Sequence, residues 1–338
     1  MNNKRRDMIS RRASLAALTA VAAVAAAGAL APIAATAQPA YPTTAVRLVV
    51  PFAAAGGTDS VARVVVQVMG TRLGQPVVVD NRPGAGGSIG TLAVTQATPD
   101  GHTLLLGSNG TMVLNPLLYP QLKYQVDRDL LPVAGIAAVP FLVAANPQFG
   151  ATDLKGLLAA AKQKDVTFAS PGNGTTNHLA GVLLGSMAGV NLTHVPYRGT
   201  SPATNDVVGG VVNFLSGDFG TLLPMVNAGK LRALAVTGTQ RVSILPNVPT
   251  VAETLPGFDA TGWFGVFAPK GTPQAVVDKL SAEFLQTLKD PRVAQRLQEL
   301  GGMPMPLNAT QLKALIGTET AKWQKVIKDN KVTADALQ

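Results

Sequence analysis

The chain has 338 residues, 28 Lys and Arg against 19 Asp and Glu, a formal net charge of +9 and no cysteine. Without cysteine there is no disulfide, no thiolate metal site and no thiol nucleophile. The basic excess is dispersed and no Lys/Arg run with aromatic neighbours follows Ala37, which excludes a nucleic-acid footprint and mildly favours anionic ligands.

The first element is a leader. Lys4-Arg5-Arg6 and Arg11-Arg12 precede an Ala/Leu/Val-rich stretch from Leu15 to Ile33, and Ala35-Thr36-Ala37 supplies the small residues of a cleavage site. Export to the periplasm with cleavage after Ala37 is expected. Ser10-Arg11-Arg12-Ala13 is similar to a twin-arginine signal, but Ser14 and Ala16 replace the residues expected after it, so the export route stays open. A membrane anchor is the alternative, disfavoured by Gly28, Pro32 and the alanine content. Removing the leader lowers the net charge to +5. The remaining chain, about 300 residues, suits two domains. No later apolar run is long enough to span a bilayer.

Strand and helix then alternate. Residues 46–50 form an apolar strand, followed by the turn Pro51-Phe52-Ala53-Ala54-Ala55-Gly56-Gly57-Thr58-Asp59. Val61, Val64, Val65 and Val68 recur at helical spacing over residues 59–73. Residues 76–80 read as a strand, 86–96 as a helix, and 103–106 as a strand stopped by Gly107-Ser108-Asn109-Gly110. After an extended segment at 141–145 the pattern restarts, with a helix at 152–162 and a strand at 166–169. A second glycine turn follows, Ser170-Pro171-Gly172-Asn173-Gly174-Thr175-Thr176-Asn177-His178, opening a helix at 175–188. Strands at 192–195, 212–215 and 232–237 alternate with helices near 202–208 and 221–228. Residues 262–268 return in extended form, and helices at 273–289 and 309–330 end the chain.

This order predicts an α/β fold of two lobes joined by a double crossover. Residues 38–139 and 263–338 are expected to form domain 1, and residues 140–262 domain 2. Ligands of open α/β sheets bind beyond the carboxyl ends of strands. Both glycine turns lie at such ends, where helix N-terminal amides and the helix dipole favour an anion. The cleft between the lobes is the expected site.

A family resemblance rests on several motifs. They are Val50-Pro51-Phe52 with Gly56-Gly57-Thr58-Asp59, then Asn81-Arg82-Pro83-Gly84-Ala85-Gly86-Gly87-Ser88-Ile89-Gly90. Ser170 to Thr175 leading to His178-Leu179-Ala180-Gly181, and His194-Val195-Pro196-Tyr197-Arg198-Gly199, continue the set. Pro202-Ala203 and Asp206 through Gly209-Gly210 complete it. Over essentially the whole mature length the chain resembles the extracytoplasmic solute-binding receptors of tripartite tricarboxylate transporters, the Bug or TctC family.

The resemblance implies a type II periplasmic binding fold of the Venus-flytrap kind, closing on a small organic acid. It implies membrane permease subunits as partners, a monomeric receptor, no cofactor and no catalysis. It places Phe52, Gly56, Gly57 and Asp59 around one ligand carboxylate, with Asp59 capping the helix or orienting donors rather than touching the anion. Ser108, Asn109 and Thr111 would line the same wall. Ser170, Gly172, Gly174, Thr175 and His178 would hold the other end, Tyr197, Arg198, Gly199 and Ala203 would close over it, and Asp218 lies on a later strand's exit. Many relatives carry a glutamate where this chain has Val182, Leu183 and Leu184, which puts one family hydrogen bond in doubt.

Each residue has a plainer alternative. His178 could bond only neighbouring backbone, Arg198 could stay solvated, Tyr197 could be ordinary core, and the glycines could serve tight packing. Trp263 and Phe264 suit hinge packing better than the cleft. A secreted α/β oxidoreductase is the alternative class, because residues 84–90 look like a dinucleotide turn and Tyr119 and Lys123 have the spacing of a dehydrogenase pair. Pro120 between them disfavours the helix that would align the pair, and the glycine spacing departs from the fingerprint. Ser170, His178 and Asp218 hold triad chemistry on paper, without a nucleophile elbow. His102, His178 and His194 are the only histidines, and no metal motif accompanies them. A sensory receptor docking to a membrane kinase is the third reading.

Overall fold

Short apolar strands, each ended by a glycine, proline or polar turn, assemble into two sheets in the computed structural model, which describes residues 41–333. The leader expected over residues 1–37 lies outside them. The strands are β1 (Val46–Val50), β2 (Val77–Asn81), β3 (Thr103–Ser108), β4 (Leu130–Val139), β5 (Leu142–Ala145), β6 (Val166–Ser170), β7 (Leu192–Pro196), β8 (Phe214–Gly217), β9 (Arg232–Val236), β10 (Gly262–Pro269) and β11 (Met303–Pro304). One sheet has the order β11-β4-β10-β3-β1-β2 and the other β7-β6-β8-β5-β9.

The two sheets share a plan. In each, three parallel strands (β2-β1-β3 and β7-β6-β8) meet an antiparallel fourth, β10 or β5. These fourth strands lie beside the chain's two passages between sheets. Strands before residue 140 and after residue 261 belong to the first sheet, and those between belong to the second. The passages are stitched together at Thr237. Its amide donates to Phe141 O at 2.9 Å, its hydroxyl accepts from Phe141 N at 2.8 Å, and Ala260 N donates to Thr237 O at 3.0 Å.

Helices cover the parallel strands, as apolar strands buried on both faces require. In the first lobe these are α1 (Gly57–Leu73), α2 (Ser88–Thr95) and the short α3 (Asn115–Leu118) and α4 (Val126–Asp129). The second lobe carries α5 (Leu154–Ala161), α6 (Thr176–Ala188), α7 (Thr200–Val208) and α8 (Phe219–Asn227). The chain then supplies α9 (Gln274–Thr287), α10 (Pro291–Glu299) and α11 (Ala309–Asp329). Leu48, Leu104, Leu105, Phe267, Phe284 and Trp323 are fully buried, as are Phe168, Phe214 and Phe219. Among the described residues no helix is long and apolar enough to cross a membrane.

The structure departs from the simple strand and helix rhythm in two places. Residues 130–139 form a ten-residue strand although Pro132 and Gly135 interrupt the pattern. The pairing of β4 with β10 contains register shifts, which accommodate such residues. A Cβ on Gly135 would stand 2.8 Å from Met305 O, so glycine is needed where that segment crosses. The loop expected after β3 instead turns helically at once, as a wide turn over Gly110–Leu114 leading into α3.

Candidate functional site

In the parallel pairing of β1 and β2, Val50 stands opposite Asn81, and this register places the Asn81 side chain beneath the first glycine turn. Asn81 Nδ2 donates to Phe52 O at 3.1 Å and to Asp59 Oδ1 at 3.0 Å. Asp59, 2% exposed, also accepts from Ala55 N at 2.9 Å and Arg63 Nε at 2.8 Å, so both its oxygens are used within the lobe. Burial pushes its carboxyl up, but the bonds from Arg63, Ala55 and Asn81 outweigh this and hold it below the usual range. Gly56 caps α1 without a side chain, leaving the helix's first amides to solvent or a ligand. Gly56 and Gly57 are exposed and Phe52 is half-buried.

The glycines of residues 84–90 pack α2 against this turn. A Cβ on Gly87 would lie 2.7 Å from a Thr111 methyl and 3.1 Å from the Phe52 ring, and one on Gly90 would lie 2.8 Å from Pro51 Cα. Ser108 and Thr111 bond each other at the exit of β3, with Ser108 N donating to Thr111 Oγ1 at 3.0 Å. Asn109 is 1% exposed and turns inward, its Nδ2 donating to Glu319 on α11 at 3.0 Å. Tyr119 follows the end of α3 in extended backbone, so no helix aligns it with Lys123.

The second turn is organised by two histidines. Thr175 caps α6, accepting from His178 N at 3.2 Å. His178 Nδ1 accepts from Gly174 N at 3.1 Å, which requires an unprotonated Nδ1. The His178 ring stacks on His194 with centroids 3.9 Å apart, and His194 Nε2 bonds Ser170 Oγ at 2.7 Å. Burial lowers the pKa of His178 to about 4 and that of His194, further depressed by His178, to about 3. Both rings are therefore neutral at pH 7. Gly172 and Gly174 have φ of +150° and +72°, backbone that favours glycine. Gly199 N donates to Pro171 O at 3.0 Å, tying the exit of β7 to the same turn.

Tyr197 Oη donates to Asp206 Oδ2 at 2.6 Å, and burial together with that carboxylate pushes its phenol to about 12. Arg198 is exposed, whereas Ala203 is fully buried in the core of the second lobe. Asp218, half-buried at the start of α8, accepts from Thr200 Oγ1 at 2.8 Å, and burial raises its pKa. The lobes meet at this residue: a Cβ on Gly57 would stand 3.9 Å from Asp218 Oδ1.

The structure thus brings Gly57 and Asp218 together across the lobes, and gathers Ser170, Gly172, Gly174, Thr175, His178, Tyr197 and Gly199 within the second. The side chains of Asp59, Asn109 and Thr111 are engaged inside the first lobe. Ser170, His178 and Asp218 form no relay, since serine bonds His194, His178 accepts a backbone amide and Asp218 bonds Thr200. Among the described residues no group of three His, Asp or Glu side chains could hold a metal. A groove of about 960 Å³ between α1 and α10 contains none of the expected residues. Its arginines, Arg63, Arg72, Arg292 and Arg296, are each paired with an acid.

Sequence reasoning overlooked Asn81, Arg63, Thr200 and the pairing role of His194. A parallel β1/β2 register would have found Asn81, and the i, i+4 spacing would have found Arg63.

Comparison with known proteins agrees with this architecture. Residues 61–332 match the family model described as "Tripartite tricarboxylate transporter family receptor". The chain is 41% identical over 300 residues to the "UPF0065 protein in tcbD-tcbE intergenic region" of Pseudomonas sp. (strain P51), covering 88% of this chain and 89% of the relative. It is 36% identical to Protein BugT of Bordetella pertussis (strain Tohama I), covering 86% and 90%. Among solved structures it resembles R. palustris Rpa4515 with adipate, at 33% identity, TM-score 0.79 and coverage of 87% and 100%. It also resembles MatC of Rhodopseudomonas palustris with bound malate, at 36% identity, TM-score 0.73 and coverage of 85% and 100%. Two lobes with matching glycine turns, together with these likenesses over most of the chain, lead to one assignment: the chain belongs to the tripartite tricarboxylate transporter receptor family, the Bug receptors.

Proposed function

We propose that the protein captures a small organic acid between its lobes and delivers it to the permease subunits of a tripartite tricarboxylate-type transporter. The observation that carries this reading is the uncapped N-terminus of α1 at Gly56, facing the second lobe where Gly57 approaches Asp218. Helix-end amides without a side-chain cap suit a carboxylate. Rpa4515 holds adipate and MatC holds malate, both of the dicarboxylate class proposed here.

In this reading Phe52, Gly56, Gly57 and Ser108 form the wall of the first lobe. Ser170, Gly172, Gly174 and Thr175 form that of the second, and Tyr197, Arg198, Gly199 and Asp218 close over the ligand. Asp59, Asn109, Thr111, His178 and Ala203 support these loops from behind. Residues 38–139 with 263–338, and residues 140–262, act as the two moving domains. The receptor works as a monomer in the periplasm, without cofactor or catalysis, after removal of a leader ending at Ala37.

A thermal-shift screen over mono-, di- and tricarboxylates tests the proposal. A matching dicarboxylate is expected to raise Tm while its diamide does not. Equal stabilisation by acid and amide, or by no acid at all, overturns it.

A further inference from the structure

Asp218 stands at the N-cap of α8, where an aspartate ordinarily accepts from the second or third amide of its own helix. It makes no such bond. Its Oδ2 accepts from Thr200 Oγ1 at 2.8 Å. Its Oδ1 faces the other lobe, 3.9 Å from the Cβ position of Gly57, the first residue of α1. Among the described residues no lysine, arginine or histidine forms an ion pair with it.

The carboxylate is therefore diverted from its own helix, lacks a cation and is aimed at the amide end of α1. A ligand carboxylate held by those amides would lie against a second carboxylate, and like charges so placed repel. Asp206, another acid of this lobe, is already engaged by Tyr197 Oη. A hydrogen-bond donor on the ligand, between the two carboxylates, turns the repulsion into an attractive contact.

We infer that Asp218 is a specificity-determining residue that selects acids bearing a hydroxyl or ammonium beside the carboxylate held by α1, over unsubstituted acids of the same length. This rests on the cleft being a carboxylate site, as proposed above. A site built to bond a ligand's O–H or N–H discriminates strongly against the analogue without it, because the site's own polar group is then left unpaired.

The test is calorimetric titration of the mature protein and its Asp218→Asn variant with matched series: succinate, malate and aspartate, then glutarate, 2-hydroxyglutarate and glutamate. In the wild type the best donor-bearing acid is expected to bind about tenfold or more tightly than its unsubstituted partner. In Asp218→Asn the preference should fall to about threefold or less, mainly through tighter binding of the unsubstituted acid as repulsion is removed. The wild-type preference is read without any variant, so misfolding of Asp218→Asn leaves the inference testable. Equal or weaker binding of the substituted acids in every series overturns the role of Asp218 while leaving carboxylate capture intact. If neither these acids nor the wider carboxylate screen shows any binding, the capture reading itself fails.

Discussion

Replacing Asp59 with asparagine probes the first glycine turn without changing its size. The carboxylate accepts from Ala55 N at 2.9 Å, Arg63 Nε at 2.8 Å and Asn81 Nδ2 at 3.0 Å, and is almost wholly buried. An amide retains one acceptor and turns an NH2 group toward at least one of these donors. In the better orientation the oxygen keeps Ala55 and Arg63, both weakened by loss of charge, and the NH2 faces Asn81. Bonds to a buried charged group contribute about 1.5–3 kcal/mol each, so losing one and weakening two should destabilise the protein by about 3 kcal/mol. For a chain of this size that lowers Tm by roughly 5 °C.

The effect should also depend on pH. Because the folded pKa of Asp59 is depressed, its stabilisation is present above the ordinary carboxylate range and is lost as pH falls through the lowered value. The gap between wild type and Asp59→Asn, measured by urea denaturation, should therefore be large at pH 7 and shrink as pH falls below the ordinary carboxylate range. Ala55 sits at φ +64°, uncommon for a residue with a Cβ, and loses its firm acceptor, so the turn should loosen and ligand-induced stabilisation should fall as well. A variant with unchanged urea midpoint and a full ligand shift would refute the claim that Asp59 organises this turn.

Three further outcomes are expected. His178 and His194 stay neutral in the folded protein well below the ordinary histidine pKa, so unfolding takes up protons and stability should decline as pH falls from about 6.5 toward 4. His194→Gln should flatten that slope in urea titrations at several pH values, and an unaltered slope would remove His194 as a source. Gly174→Val places a β-branched side chain at φ +72° on the turn; it should cost about 1–3 kcal/mol in apo stability and abolish ligand-induced stabilisation, both read by thermal shift. Glu319→Gln removes a buried carboxylate that accepts from Asn109 Nδ2 and from Trp323 Nε1 at 2.9 Å and pairs with Lys322. A loss of about 2–4 kcal/mol by urea denaturation is expected.

Much of this was legible along the chain because its signals are local. Apolar runs such as Val46–Val50 and Val166–Ser170 stop at prolines, and glycine turns then lead into helices. That alternation fits a covered parallel sheet without knowledge of any partner. Residues 130–139 carry no such signal for an equally local reason, since Pro132 and Gly135 interrupt the pattern that a strand would show. Their compensation lies elsewhere, in the register shifts with β10 and the crossing of Met305.

The order of residues alone determined the strand-turn-helix rhythm, the lack of thiol chemistry, the glycine positions and the motifs that carry the family resemblance. These depend on side-chain periodicity and on which residues tolerate left-handed backbone. Only the folded chain decided that Asn109 turns inward to Glu319, that His178 stacks on His194, and that Asp218 leaves its own helix to face Gly57. Such pairings depend on which strands lie side by side and how the lobes approach, and residues distant in the chain acquire those neighbours only when the sheets and helices pack.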